Sequence, residues 1–132
     1  MKIIKIDAID STNSFLKEMA QNTHLENYTS VVALSQNKGK GQMGTQWVTE
    51  PGKNLLSSVF VAFNGLSLSK QVLLNYAVSI SVFNVLDRYE VPQLTIKWPN
   101  DILSSHQKIC GLLIENVIQH QEIKSTIIGI GI

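Results

Sequence analysis

Two short runs of residues hold most of the groups in this sequence that could do chemistry. The first, Asn37 to Gly44, sets Gly39, Gly41 and Gly44 among Lys38, Lys40 and Gln42. Glycines let backbone N–H groups come close to an anion and form a concave nest, and the lysines add positive charge. A flexible hairpin loop is the plain structural alternative for the same residues. The run matches G-x-G-x-x-G, but a dinucleotide fingerprint must open a helix, and here Trp47, Pro51 and Gly52 follow. No acidic residue lies about twenty positions on, where a ribose hydroxyl would find its partner. Nor does G-K-[ST] follow at the P-loop spacing, so both of these nucleotide-binding patterns are excluded.

The second run, Lys97-Trp98-Pro99-Asn100-Asp101, leads a few residues later to Lys108-Ile109-Cys110-Gly111-Leu112-Leu113-Ile114-Glu115. Proline holds the residue before it extended, and Asn-Asp can close a turn through side-chain hydrogen bonds. An ordinary strand-to-turn transition with a packed tryptophan is the alternative. If 108–115 is a strand, Lys108, Cys110, Leu112 and Ile114 share one face. A lysine beside three apolar neighbours is partly desolvated and needs an anionic partner.

Other chemically able residues lack company. Cys110, the single cysteine, is not read as a nucleophile and cannot form an internal disulfide. His24, His106 and His120 show no metal-ligand spacing and sit in polar surroundings, so no metal-binding cluster is expected. Glu18 and Glu26 read as surface charges. With 44% hydrophobic and 16% charged residues the chain has the composition of a folded domain rather than a disordered one. A net charge of +1 without a basic run gives no footprint for nucleic acid. The uncharged stretch 71–86 is too short and too polar to span a bilayer, and the first residues do not develop a signal peptide. A cytoplasmic protein is the default expectation.

The elements that must position these runs follow from periodicity. Residues 2–6 alternate as a strand. Asp10 or Ser11 can cap a helix over 12–21, with Phe15/Met19 and Leu16/Ala20 stacked at i,i+4. Strands are expected at 30–35 and 55–63, with a turn at Pro51-Gly52. A helix starts at Ser67 or Ser69 and ends near Tyr89, burying a face of Leu73, Ala77 and Ile80 with Val72, Tyr76 and Phe83 beside it. Strands at 94–98, 108–118 and 125–132 follow. The order predicts one α+β domain, residues 1–132, with helices packed on a mixed, largely antiparallel sheet. The apolar run 127–132 reads as a strand of a domain that continues, and as an unpaired edge it would favour a homodimer.

In order, these segments resemble the biotin–protein ligase family. The matching residues are Asp10-Ser11-Thr12-Asn13, Gln36, Gly39 to Gly44, Trp47, Pro51 to Leu55, Lys97 to Asp101, Lys108 to Gly111 with Glu115, and Gly129-Ile130-Gly131-Ile132. They span almost the whole chain, and Lys-Trp-Pro-Asn-Asp followed by Lys-x-x-Gly is specific in combination. The resemblance implies a fold related to class II aminoacyl-tRNA synthetases, present here without its C-terminal part. It implies biotin, ATP and Mg²⁺ as the reacting components and a biotin carboxyl carrier protein as acceptor, with no nucleic acid or membrane partner.

Carried over residue by residue, Ser11, Thr12, Asn13 and Gln36 would meet the biotin head group. Gly39, Lys40, Gly41 and Gln42 would form the loop that closes over the ligand, with Trp47 supporting it. Lys108, beside Gly111, would hold the biotin carboxylate and α-phosphate oxygens, and Lys97, Asn100 and Asp101 would line the nucleotide side. Lys108 and Asp101 are the implied catalytic pair, Asp101 receiving the acceptor amine. The chemistry explains such residues: a carboxylate must approach a phosphate, and each unit pair of like charges repels by roughly 4 kcal/mol at about 4 Å and an effective dielectric near 20. Lysines and Mg²⁺ would offset that repulsion. The family's loop commonly reads G-R-G-R-x-G-R, whereas this one carries Lys40, Gln42 and Thr45. Lysine replaces the charge but not the bidentate grip of arginine on phosphate, so weaker retention of the adenylate is expected. A lipoate- or octanoate-transferring enzyme and a non-catalytic biotin-binding fragment are the alternatives.

Overall fold

The computed structural model describes residues 2–132. The chain runs through β1 (Ile3–Ile9), α1 (Thr12–Asn22), β2 (Ser30–Gln36), β3 (Leu56–Ser67), α2 (Gln71–Arg88), β4 (Leu94–Lys97), β5 (Asp101–Ser104), β6 (Gln107–Gln119) and β7 (Glu122–Gly131). The seven strands form one sheet in the order β1-β2-β3-β7-β6-β5-β4. Only β1 and β2 pair in parallel, because α1 carries the chain back between them. Every other pairing is antiparallel, so the expected mixed, largely antiparallel α+β sheet is what forms. A cis peptide bond joins Trp98 and Pro99 between β4 and β5.

Of the two possible caps for α1, Ser11 takes the role. Its backbone is extended and its hydroxyl accepts the Ser14 N–H at 3.4 Å. At the other end the Thr23 hydroxyl and N–H both donate to the Met19 carbonyl. The apolar stripe of α1 then buries Leu16 against Val31, Phe60 and Ile127 on one face of the sheet. The opposite face is covered by α2, whose Val78 and Leu86 pack on Ile102, Cys110 and Leu112.

Three expectations from the sequence change here. First, α2 uses a different stripe: Leu74, Val78, Val82 and Leu86 point inward at i,i+4, while Leu73 is 61% exposed and Val72, Tyr76, Ala77 and Ile80 are exposed too. The helix is apolar nearly all round, so periodicity alone could not choose the buried side. Second, β7 is no edge. It lies between β3 and β6 and is hydrogen-bonded on both sides, so the edges are β1 and β4. Residues 127–131 therefore offer no free strand edge for self-association. Third, Lys108 does not share a face with Cys110. Ile102 pairs with Cys110, but Leu103 pairs with Lys108, so β6 advances two residues where β5 advances one. This bulge flips Lys108 to the α1 side of the sheet, beside Asp101 and Gly111.

Candidate functional site

Because α1 covers only part of its face of the sheet, a cavity of about 520 Å³ remains beside its N-terminus. Ser11, Thr12 and Asn13 form one end, Asn100, Asp101 and Lys108 the other, and the glycine loop closes the side. Two lysines, Lys40 and Lys108, and one carboxylate, Asp101, are the charged groups of its lining.

The polar end is a buried hydrogen-bond network. Thr12 donates from both its backbone N–H (2.7 Å) and its hydroxyl (3.0 Å) to Gln36 Oε1. The Gln36 amide nitrogen is thereby turned toward Gly39. Asn13 Nδ2 donates to the Leu113 carbonyl at 3.2 Å and to Glu115 Oε2 at 2.9 Å. Lys17 pairs with the other Glu115 oxygen at 3.3 Å.

The floor is made of glycine. A Cβ at Gly111 would stand 2.6 Å from the Trp47 ring, one at Gly131 would stand 2.7 Å from it, and one at Gly129 would overlap Asn13 Oδ1. Trp47 therefore lies flat over β6 and β7 because two side chains are missing there. The loop that carries it is a hairpin. Lys40 bridges Gln46, Gly41 N–H donates to the Thr45 carbonyl at 2.7 Å, and Trp47 N–H donates to the Gly39 carbonyl at 2.9 Å. At its base Lys38 pairs with Asp10 at 2.8 Å. The hydrogen bond from Lys38 holds the Asp10 carboxyl below its ordinary range, and Asp10 in turn raises Lys38.

At the cationic end Lys108 Nζ sits 2.7 Å from Asp101 Oδ1 and 4.9 Å from the centre of the Trp47 ring. This supplies the anionic partner that a half-buried lysine requires. Asn100 is locked by reciprocal bonds with Leu112: its Nδ2 donates to the Leu112 carbonyl at 3.2 Å, and Leu112 N–H donates to its carbonyl at 2.8 Å.

Most of the residues singled out in the sequence thus meet in one place: Ser11, Thr12, Asn13, Gln36, Lys40, Gly41, Gln42, Trp47, Asn100, Asp101, Lys108 and Gly111 all line the cavity. Two do not. Gly39 lies behind the loop, in a second hollow with Leu113 and Glu115. Lys97 stands opposite Asp101 in the strand ladder, exposed and outside the cavity wall. Ser58, fully buried beneath Thr12 and Asn13, was missed. The alternation Leu56-x-Ser58-x-Phe60 held the signal, a polar residue in a buried apolar register. Cys110 faces the other side of the sheet with no solvent exposure, and burial pushes its thiol up to about 12. His24, His106 and His120 are exposed, and no group of three or more His, Cys, Asp or Glu gathers among the described residues. No helix among them is long and apolar enough to cross a membrane.

Residues 6–132 match the model of the biotin/lipoate A/B protein ligase family. The chain belongs to this family. It is 34% identical over 130 residues to the bifunctional ligase/repressor BirA of Bacillus spizizenii, covering 98% of this chain and 39% of that protein. It is 29% identical over 125 residues to the biotin–[acetyl-CoA-carboxylase] ligase of Paracoccus denitrificans, covering 93% of this chain and 50% of that protein. Among solved structures, the Aquifex aeolicus biotin protein ligase in complex with biotin and ATP superposes with a TM-score of 0.72 at 31% identity, over 99% of this chain and 51% of that one. The Leishmania major biotin protein ligase in complex with biotinyl-5-AMP gives 0.71 at 30%, over 99% and 56%. The chain therefore has the biotin protein ligase fold and spans about half the length of these relatives.

Proposed function

We propose that this chain forms the biotin- and nucleotide-binding part of a biotin–protein ligase, which joins biotin to ATP and passes it to a lysine of a biotin carboxyl carrier protein. The observation that carries the reading is the polarity of the cavity. One end offers neutral hydrogen-bonding groups and the other a lysine over a glycine floor, a fit for a ligand with a polar ring and a carboxylate tail. The complexes of the relatives with biotin, ATP and biotinyl-5-AMP support it.

In this reading Ser11 keeps its hydroxyl proton for the ligand, since its oxygen is used to cap α1. Gln36 offers its amide N–H₂, since its oxygen is taken by Thr12. Lys108 draws the biotin carboxylate and an α-phosphate oxygen together. A carboxylate oxygen then forms the bond to the α-phosphorus, and pyrophosphate leaves with the electrons of the broken P–O bond. In the second step a carrier lysine amine attacks the acyl carbon, AMP departs, and the amine loses its proton. Asp101, next to Lys108, is the group placed to orient that amine, and Asn100 fixes the turn that presents it. Among the described residues no group of three or more His, Cys, Asp or Glu gathers to hold Mg²⁺, and Asp101 is the single carboxylate of the cavity lining. We assign no step to the metal.

Calorimetric titration with biotin, then with biotin plus ATP and Mg²⁺, tests the reading. Biotin binding that tightens and releases pyrophosphate with ATP is the expected result. Binding of lipoate in preference to biotin would overturn it.

A further inference from the structure

The polar end of the cavity rests on a side chain that does not line it. Ser58, on β3 with no solvent exposure, places its hydroxyl 2.8 Å from Thr12 Oγ1 and 2.5 Å from Asn13 Oδ1. Asn13 cannot choose its orientation freely. Its Nδ2 is held between the Leu113 carbonyl and the Glu115 carboxylate, and both of these act only as acceptors. The atom facing Ser58 is therefore an amide oxygen, buried and in need of a donor.

Ser58 has one proton to give. Sent to Asn13, across the shorter contact, it satisfies the buried amide oxygen, whose loss of a partner would be costly. Thr12 gives its own proton to Gln36. The Ser58 oxygen, 2.8 Å below, occupies the buried side of the Thr12 hydroxyl, so with its proton given to Gln36 Thr12 has one lone pair left to accept from a ligand in the cavity.

We infer that Ser58 is a positioning residue for ligand recognition: by bracing the Asn13 oxygen and the buried side of the Thr12 hydroxyl it fixes the orientation in which Thr12 accepts from a ligand N–H. The inference rests on the biotin reading above, in which a ureido N–H is the donor that Thr12 receives.

A double-mutant cycle in biotin affinity tests it, because residues that act through one another are non-additive. Ser58→Ala and Thr12→Val each weaken biotin binding about tenfold, and the double variant binds within about twofold of Thr12→Val alone. ATP affinity stays within about twofold throughout. Losses that multiply to about a hundredfold, or equal losses for biotin and ATP, overturn the proposal, since a general packing role would give either. Thermal melts check folding, and Ser58→Cys, close in size with a weaker donor, takes the place of Ser58→Ala in the same cycle if the alanine variant does not fold. Failure of the unsubstituted chain to bind biotin would overturn the biotin reading, and this proposal with it, a result distinct from additivity.

Discussion

Replacing Gly131 by alanine should disable the cavity while leaving the fold intact. The backbone there is ordinary strand, so the added methyl brings no dihedral strain and acts only through what it touches. It would meet Trp47 Cε2 and Nε1 at 2.7 Å and Cζ2 at 2.8 Å. These distances fall roughly 0.8 Å inside ordinary carbon–carbon contact of about 3.5 Å. Something has to move, and the strand cannot, since β7 is bonded on both sides. The ring can. Among the described residues Trp47 Nε1 is buried without a hydrogen-bond partner. What retains the ring is packing over two glycines and the ammonium of Lys108, a cation–π contact of about 0.5–1 kcal/mol. Overpacking that a rigid core would feel as about 1–3 kcal/mol is relieved here by lifting the ring.

The stability loss should therefore be at the low end, about 1 kcal/mol, and the functional loss larger. Displacement of the ring and its loop by about 1 Å is enough to cost up to 10²-fold in a site that depends on positioning. With Trp98→Phe in the background, Trp47 is the remaining tryptophan, and its emission should shift to the red as the ring enters water. Biotin affinity should fall at least tenfold, and Trp47→Phe, which trims the clashing atoms, should make Gly131→Ala nearly silent. Unchanged emission and affinity in Gly131→Ala, or additive losses in the double variant, would refute the steric account.

Other consequences can be measured in parallel. Lys108→Ala should cost about 1 kcal/mol of stability or less, because the lysine is two-fifths exposed; Asp101→Asn should recover that stability in urea unfolding but not the lost ligand affinity. Cys110 should resist iodoacetamide in the native protein at any pH well below about 12 and react once unfolded. Leu86→Ala should cost about 2–5 kcal/mol, whereas Leu73→Ala, on the exposed side of α2, should leave the urea midpoint nearly unchanged. If the arginine-poor loop holds an adenylate loosely, a bystander protein should become biotinylated in the presence of ATP, and Gln42→Arg should confine labelling to the carrier.

What the sequence made legible was local. A cap at Asp10 or Ser11, the 3.6-residue stacking of α1 and a glycine-rich loop could each be read within about ten residues. An anionic partner for Lys108 was expected from apolar neighbours that it does not have; the partner exists, Asp101, but on the other face of the sheet. The wrong face assigned to it shows where such reasoning stops. Strict alternation assumes an unbroken ladder, and the extra residue at Ile109 is decided by pairing with β5, which periodicity does not report. The identity of its partner, Asp101, depends on the same pairing. In α2, apolar residues on nearly every side left the buried stripe to be chosen by the sheet beneath. For β7, an apolar run near the chain end looked like an edge because its partners on β3 lie some seventy residues away.

The two glycine motifs illustrate the same point from the opposite direction. Lys-x-x-Gly at 108–111 and Gly-x-Gly at 129–131 look independent in the sequence. In the sheet Gly111 is the direct cross-strand partner of Gly131, and Gly129 pairs with Leu113 one step further along the same face. The three form a trough without side chains, and each missing Cβ is occupied: Trp47 covers Gly111 and Gly131, and Asn13 covers Gly129. One ring from the loop and one amide from α1 are thus seated by a single steric feature shared between two strands. A methyl group at either end of the Gly111–Gly131 pair strikes the same indole. Substitutions at these positions should therefore fail in the same way, by unseating Trp47, despite the twenty residues between them.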